Sequence, residues 1–161
     1  GGTSLEYFID RIRAAHPAEV TEHVLLVHEV CLTEKGAQEI KEFFRNPFIA
    51  VCPLSNIYIH SMLPPIPIMR KSGIPIAIGT DSLSSNDDLD MVGEMYCLQS
   101  SFPEVPLGEI LSWACTNGAR FLAKDDVFGS IRKGKKPGLV AIEGLSEDGN
   151  LTRESKSRRL V

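Results

Sequence analysis

Ile76-Ala77-Ile78-Gly79-Thr80-Asp81-Ser82-Leu83-Ser84-Ser85-Asn86 is the stretch on which the reading of this chain turns. An apolar run of β type, bounded upstream by Gly73 and Pro75, stops at Gly79, and an aspartate follows in a loop of small polar residues. A carboxylate just past the carboxyl end of a buried strand is where α/β enzymes place catalytic and metal-binding groups. The strand fixes the side chain while the loop opens to substrate. Aspartate is equally at home as a helix N-cap or turn former, so the spacing alone leaves those roles open.

A second strand has the same layout. Val24-Leu25-Leu26-Val27-His28 is a continuous apolar run ending in histidine, and the continuity predicts burial on both faces, as in a parallel sheet. Neutral imidazole and carboxylate are the usual nitrogen and oxygen ligands of a catalytic divalent metal, typically zinc. One His and one Asp make half a site, and a strand-end His also serves commonly as a hydrogen-bonded structural residue.

At 161 residues the chain is long enough for one compact domain with a real core. Its net charge is −4, and its basic residues cluster only at Arg132 to Lys136 and Arg158-Arg159, which indicates no nucleic-acid footprint. The four cysteines, Cys31, Cys52, Cys97 and Cys115, show no CxxC pairing. They read as reduced thiols of a cytoplasmic protein, with Cys31, Cys97 and Cys115 expected to be mostly buried apolar fillers. No run reaches the roughly 18 apolar residues of a membrane helix, and no signal peptide is expected. The opening Gly1-Gly2-Thr3-Ser4 lacks a methionine and reads as a processing boundary.

Along the chain, Ser4 is expected to cap a helix with Leu5, Phe8, Ile9 and Ile12 on one face, ending near His16-Pro17. The next helix runs from Thr33 through Arg45, with Ala37, Ile40, Phe43 and Phe44 inward. The strand Phe48 to Val51 enters a loop, Cys52-Pro53-Leu54-Ser55-Asn56, and a short helix over Ile68 to Ser72 leads into the strand before Asp81. Helices follow over Asp88 to Ser101, with Leu89, Val92, Met95, Tyr96 and Gln99 in register, and over Pro106 to Leu122, with Ile110, Leu111, Ala114 and Cys115 facing the core. Past a turn-rich basic stretch, Leu139 to Ile142 forms one short strand and Ser146 to Val161 is polar. Strand alternating with helix three times predicts βα units and a parallel sheet, so that the strand ends at His28, Cys52 and Asp81 share one rim.

Several motifs in this order resemble the metal-dependent amidohydrolase superfamily, in the branch of chlorohydrolases and nucleobase- or nucleoside-type deaminases. Leu25-Leu26-Val27-His28-Glu29-Val30 is similar to the family's strand ending in a metal-binding His. Cys52-Pro53-Leu54-Ser55-Asn56 is similar to its CPxSN loop, and Gly79-Thr80-Asp81-Ser82-Leu83-Ser84-Ser85-Asn86 to its loop whose Asp binds metal and shuttles a proton. Thr116-Asn117-Gly118-Ala119-Arg120-Phe121-Leu122 and Gly129-Ser130-Ile131 through Gly134-Lys135 also match. The resemblance implies an α/β fold that is the C-terminal part of a (β/α)₈ barrel plus a short piece of a flanking β-sandwich. Residues 4–125 would be barrel βα units, 126–145 the strand region of the sandwich, and 146–161 a polar C-terminal tail.

The resemblance further implies that His28 and Asp81 hold a divalent metal, most readily zinc, and that Asp81 is catalytic. Ser55, Asn56, Ser84, Ser85 and Asn86 are candidate hydrogen-bonders to substrate or to the metal-binding side chains. The implied reaction is hydrolysis of a C–N bond of a small molecule (amide-like, aminopurine, pyrimidine or triazine) by an activated water, with no role for nucleic acid or membrane. The alternative is a degenerate barrel that binds ligand without turnover. Three departures stand out: Val51 where many members carry a His before CPxSN, Cys31 where deaminases often carry a glutamate, and no HxH pair among the four histidines. An i+1 neighbour on extended chain points to the opposite side, so Glu29 replaces that glutamate only if the loop bends sharply. These features describe the C-terminal fragment of a longer enzyme, expected by itself to be inactive, to hold little zinc, and to self-associate through its exposed part-barrel. A cysteine hydrolase using Cys52 with His28 lacks a cation to activate the thiol, and a flavodoxin-like domain lacks a Gly-rich phosphate loop.

Overall fold

The computed structural model describes residues 4–15 and 22–161; the predicted helix end at His16-Pro17 lies outside them. Helix α1 (Ser4–Ala15) precedes β1 (Val24–Val27), α2 (Glu34–Phe43) and β2 (Pro47–Val51). Then come α3 (Pro53–His60), α4 (Ile66–Ser72), β3 (Ile76–Ile78) and α5 (Met91–Ser101). Helix α6 (Leu107–Ser112) continues through a π-helical turn (Trp113–Asn117) into α7 (Gly118–Phe121), and β4 (Val140–Glu143) and β5 (Lys156–Arg159) close the chain.

The chain is mixed α/β. Strands β1, β2 and β3 form one parallel sheet in sequential order, with Leu26 opposite Ile49 and Ala50 opposite Ala77. Parallel pairing carries all three strands in one direction, so their carboxyl ends share an edge, and each return passes through helices that bury an apolar face on the sheet. Ile9 of α1, Ile40 of α2 and Phe44 just past the end of α2 join Ile49, Val51, Ile66, Met69, Leu98 and Ile110 in the core. Local chemistry sets the helix starts: Thr33 Oγ1 accepts from Gly36 N at 3.0 Å, and the Asp90 carboxylate accepts from Val92 N and Gly93 N.

Four expectations are corrected. The Cys52-Pro53-Leu54-Ser55-Asn56 segment is not a loop throughout, since α3 begins at Pro53. Pro in a first turn loses no intrahelical hydrogen bond, which is why a Pro- and Ser-rich stretch conceals a helix. Strand β1 is buried on both faces only in part: Leu26 is buried while Val27 is 46% exposed, because β1 is an outer strand of the sheet. Leu89 precedes the Asp90 cap and is exposed. Cys31 and Cys115 are exposed whereas Cys52 and Cys97 are buried, and all four thiols are free. The wider π turn shifts the helical phase, so that Trp113 rather than Cys115 enters the core.

The polar stretch after Ser146 contains β5, which pairs antiparallel with β4 from Val140↔Arg159 to Glu143↔Lys156. Its four residues are all exposed, so no alternation marks it in the sequence. The segment is tied to α5, where Gln99 Oε1 accepts from Leu151 N at 2.9 Å and Leu151 is buried. The outer edge of β3 meets the π turn, where the Asn117 amide donates to Ile76 O at 2.7 Å.

Gly129 is locked in place beside this turn, its carbonyl accepting from Thr116 Oγ1 at 2.8 Å and its φ being +80°. A Cβ there would stand 2.7 Å from Ala119 Cβ and 3.0 Å from Cys115 O. Gly129→Ala therefore combines a left-handed strain with overpacking and is expected to destabilise by about 2–4 kcal/mol. The urea midpoint reports it, and an unchanged midpoint would contradict the packing described here.

Candidate functional site

The site is assembled where β1 and β3 end. His28 and Asp81 are both left-handed, at φ 71° and 58°. Such a conformation is uncommon outside glycine, though aspartate and histidine adopt it more readily than most residues. It turns each side chain off its strand and toward the other, leaving His28 Nε2 and Asp81 Oδ2 3.8 Å apart with each side chain about one-third exposed, at 32% and 31%.

The first turn of α3 holds both. Ser55 Oγ donates to Asp81 Oδ2 at 2.8 Å, and Ser85 Oγ donates to the same oxygen at 2.8 Å. Asn56 Oδ1 lies 3.4 Å from His28 Nδ1. A Nδ1–H donated to Asn56 leaves the Nε2 lone pair facing Asp81, which is the tautomer a ligating imidazole needs. Both serine hydroxyls, more than any other group, hold the Asp81 carboxyl below its ordinary range; the Ser82 N–H and His28 add to this, and desolvation opposes it. Asp81 is thus ionised at neutral pH.

Ser55, Asn56, Ser85 and Asn86 are buried. Asn86 does not touch Asp81; its amide donates to Thr80 O at 2.9 Å and to Glu94 Oε1 at 2.6 Å. Ser84 stays outside the cluster, exposed and 2.6 Å from Ser82 Oγ. Glu94, absent from the sequence expectations, is fully buried and also accepts from Leu54 N at 2.9 Å. It therefore ties the turn carrying Ser55 and Asn56 to the loop carrying Asp81. The signal for it was a lone carboxylate in register with Met91, Met95 and Leu98 on the core face of α5.

Donor atoms of zinc sit about 2.0–2.2 Å from the ion, so a tetrahedral site spaces two ligands about 3.3–3.6 Å apart and about 4.4 Å is the linear limit. The 3.8 Å gap between an ionised carboxylate and an imidazole lies between those bounds, within reach of such an ion. No group of three or more His, Cys, Asp or Glu side chains able to hold a metal occurs among the described residues. Asn56 Nδ2 is buried without a hydrogen-bond partner among them, an uncompensated donor beside His28. Cys52 is a poor nucleophile: burial first, then the charges of Glu94 and Asp81, push its thiol up to about 11.

The described residues thus form a parallel α/β sheet at whose carboxyl edge a His and an Asp side chain converge. The amidohydrolase family matches residues 3–156, and the chain belongs to that family. It is 37% identical over 126 residues to a 5-methylthioadenosine/S-adenosylhomocysteine deaminase of Desulfitobacterium hafniense, covering 74% of this chain and 28% of the relative. A zinc-bound adenosine deaminase from Xanthomonas campestris superposes with a TM-score of 0.64 at 32% identity, covering 74% of this chain and 28% of that one. Helicobacter pylori aminofutalosine deaminase gives 0.67 at 25% identity, covering 85% and 37%. The chain thus spans only 28% of the length of the first of these relatives.

Proposed function

We propose that this chain is the C-terminal part of a zinc-dependent deaminase that hydrolyses the exocyclic C–N bond of an aminopurine ribonucleoside. In this reading residues 4–125 are the last βα units of a (β/α)₈ barrel. Residues 126–145, with β5 beyond them, belong to a flanking β-sandwich. The observation that carries the proposal is the 3.8 Å approach of His28 Nε2 to Asp81 Oδ2, with Ser55 and Ser85 both donating to that carboxylate. The names of the adenosine-type relatives support the substrate class, and the zinc in the Xanthomonas campestris enzyme supports the metal.

His28 and Asp81 would hold the ion, with the remaining ligands supplied by the length of the relatives that this chain does not span. Zinc when bound supplies Lewis acidity and lowers the pKa of water from about 15.7 towards 7. Asp81 Oδ accepts the proton of the attacking water and returns it to the departing nitrogen, since a carboxylate is an acceptor when ionised and a donor once protonated. Ser55 and Ser85 orient that carboxylate, and Asn56 keeps the His28 ring turned toward it.

The test is zinc analysis and deamination of adenosine, 5-methylthioadenosine, guanine and a chlorotriazine by the full-length protein, before and after chelation. Expected are adenosine-type turnover lost on chelation and restored by zinc, and loss of bound zinc in Asp81→Ala and His28→Ala. Turnover indifferent to chelation would refute the metal role. Zinc retained in His28→Ala would place His28 beside the ion rather than on it. Ligand binding without turnover or zinc would favour the degenerate-barrel alternative.

A further inference from the structure

Glu94 of α5 is the one fully buried carboxylate among the described residues, and each of its oxygens accepts a hydrogen bond. Oε2 accepts from Leu54 N at 2.9 Å and Oε1 from the Asn86 amide at 2.6 Å. The two donors belong to the two segments that grip Asp81. Leu54 lies in the first turn of α3, directly before Ser55, whose Oγ donates to Asp81 Oδ2 at 2.8 Å. Asn86 closes the loop that carries Asp81, its amide also donating to Thr80 O at 2.9 Å. Ser85, directly before Asn86, donates to the same Asp81 oxygen at 2.8 Å. Glu94 itself makes no hydrogen bond to His28 or Asp81 among the described residues. Burying a carboxylate is unfavourable, and burial pushes this one above its ordinary value. A glutamine would fill the same space uncharged, but its NH2 group would face one of the two N–H donors. Only a carboxylate offers an acceptor oxygen to each, so the unfavourable burial is tied to holding two segments together.

We propose that Glu94 is a positioning residue for the hydrolysis, fixing the first turn of α3 against the Asp81 loop so that Ser55 and Ser85 hold the Asp81 carboxylate in the orientation proton transfer requires. The inference rests on the deaminase reading above. Both serines point at one carboxylate oxygen, Oδ2, and their hydroxyl oxygens lie 3.0 Å apart. One serine comes from each side of the Glu94 bridge, so the arrangement persists only while the turn and the loop keep their spacing. Without the bridge the two sides relax independently, and a misplacement of about 1 Å near reacting groups costs up to about 10²-fold in rate.

The test is a mutant cycle in the full-length protein, with Glu94→Gln made in the parent and in a Ser55→Ala/Ser85→Ala background. Adenosine turnover is measured per folded, zinc-loaded molecule, so that a purely structural role leaves kcat unchanged. In the parent, Glu94→Gln is expected to lower kcat by about 10- to 100-fold with KM held within about threefold, since Glu94 touches no substrate. In the background without the serines the same substitution is expected to change kcat by less than about threefold, because the grip it positions is already gone. Zinc affinity, read by chelator competition, is expected to fall by about tenfold in Glu94→Gln and no further in the serine-less background. Asn86→Ala removes only the loop end of the bridge and is expected to show the same split between kcat and KM. Values of kcat within about threefold of the parent in both Glu94→Gln and Asn86→Ala overturn the inference, as does a loss equally large with and without the serines. A parent that binds zinc without deaminating overturns the deaminase reading alone, and the zinc cycle then decides the role of Glu94. A parent that does neither overturns that reading and the inference with it.

Discussion

Asp81→Asn in the full-length protein is expected to lower kcat by at least about 10³-fold while leaving the fold in place. The amide keeps the shape of the carboxyl and one oxygen to accept from Ser55 and Ser85, each now 2.8 Å from Oδ2. It removes the negative charge facing His28 at 3.8 Å and, in the proposed mechanism, the group that would take and return a proton. Proton transfer by a positioned group contributes about 10²- to 10⁴-fold, and weakened metal binding adds to that. The measurement is kcat beside zinc content and far-ultraviolet circular dichroism. A variant within tenfold of the parent would remove Asp81 from the chemistry. Because the serine hydroxyls hold the Asp81 carboxyl down, its contribution to stability is present above the ordinary aspartate value of 3.8 and is lost as pH falls through its lower folded value.

Glu94 runs the other way. Burial, partly offset by the N–H of Leu54 and the amide of Asn86, pushes its carboxyl from 4.5 up to about 7. Between those values the folded chain binds more protons than the unfolded one, so the contribution of Glu94 is fully present below about pH 4.5 and is lost as pH rises through about 7. The loss amounts to about 3 kcal/mol over that window. Glu94→Gln is expected to flatten this part of the stability–pH curve, as read by chemical denaturation from pH 4.5 to 7.5. Glu94→Ala strands the Leu54 N–H and the Asn86 amide in the interior and opens a void, and is expected to destabilise by about 4 kcal/mol. A wild-type curve that rises steadily across the window would show that Glu94 titrates as an ordinary surface carboxylate.

The parallel sheet and its shared rim were legible in the order of residues. Apolar runs ending at His28, Val51 and Gly79 alternate with amphipathic helices, and the direction of parallel strands leaves their ends no other place to go. The Ser, Asn and Asp residues of the two loops were legible as polar groups flanking strand ends. Which of them touch was not. Ser85 reaches Asp81 while Ser84 turns outward, because adjacent loop residues have no fixed period and only the packed turn decides their direction. Left-handed backbone could not be read at Glu29, a residue type that seldom adopts it, and at His28 and Asp81 the residue type permits it without requiring it. Nor could the first turn of α3 behind Pro53, the π turn that swaps Trp113 for Cys115, or β5, whose exposed polar residues are held by main-chain pairing. Periodicity reports which face of an element is buried. The contacts of Glu94 with Leu54 N and Asn86 span 40 and 8 residues, and only the packing of α5 against the strand-end loops brings them together.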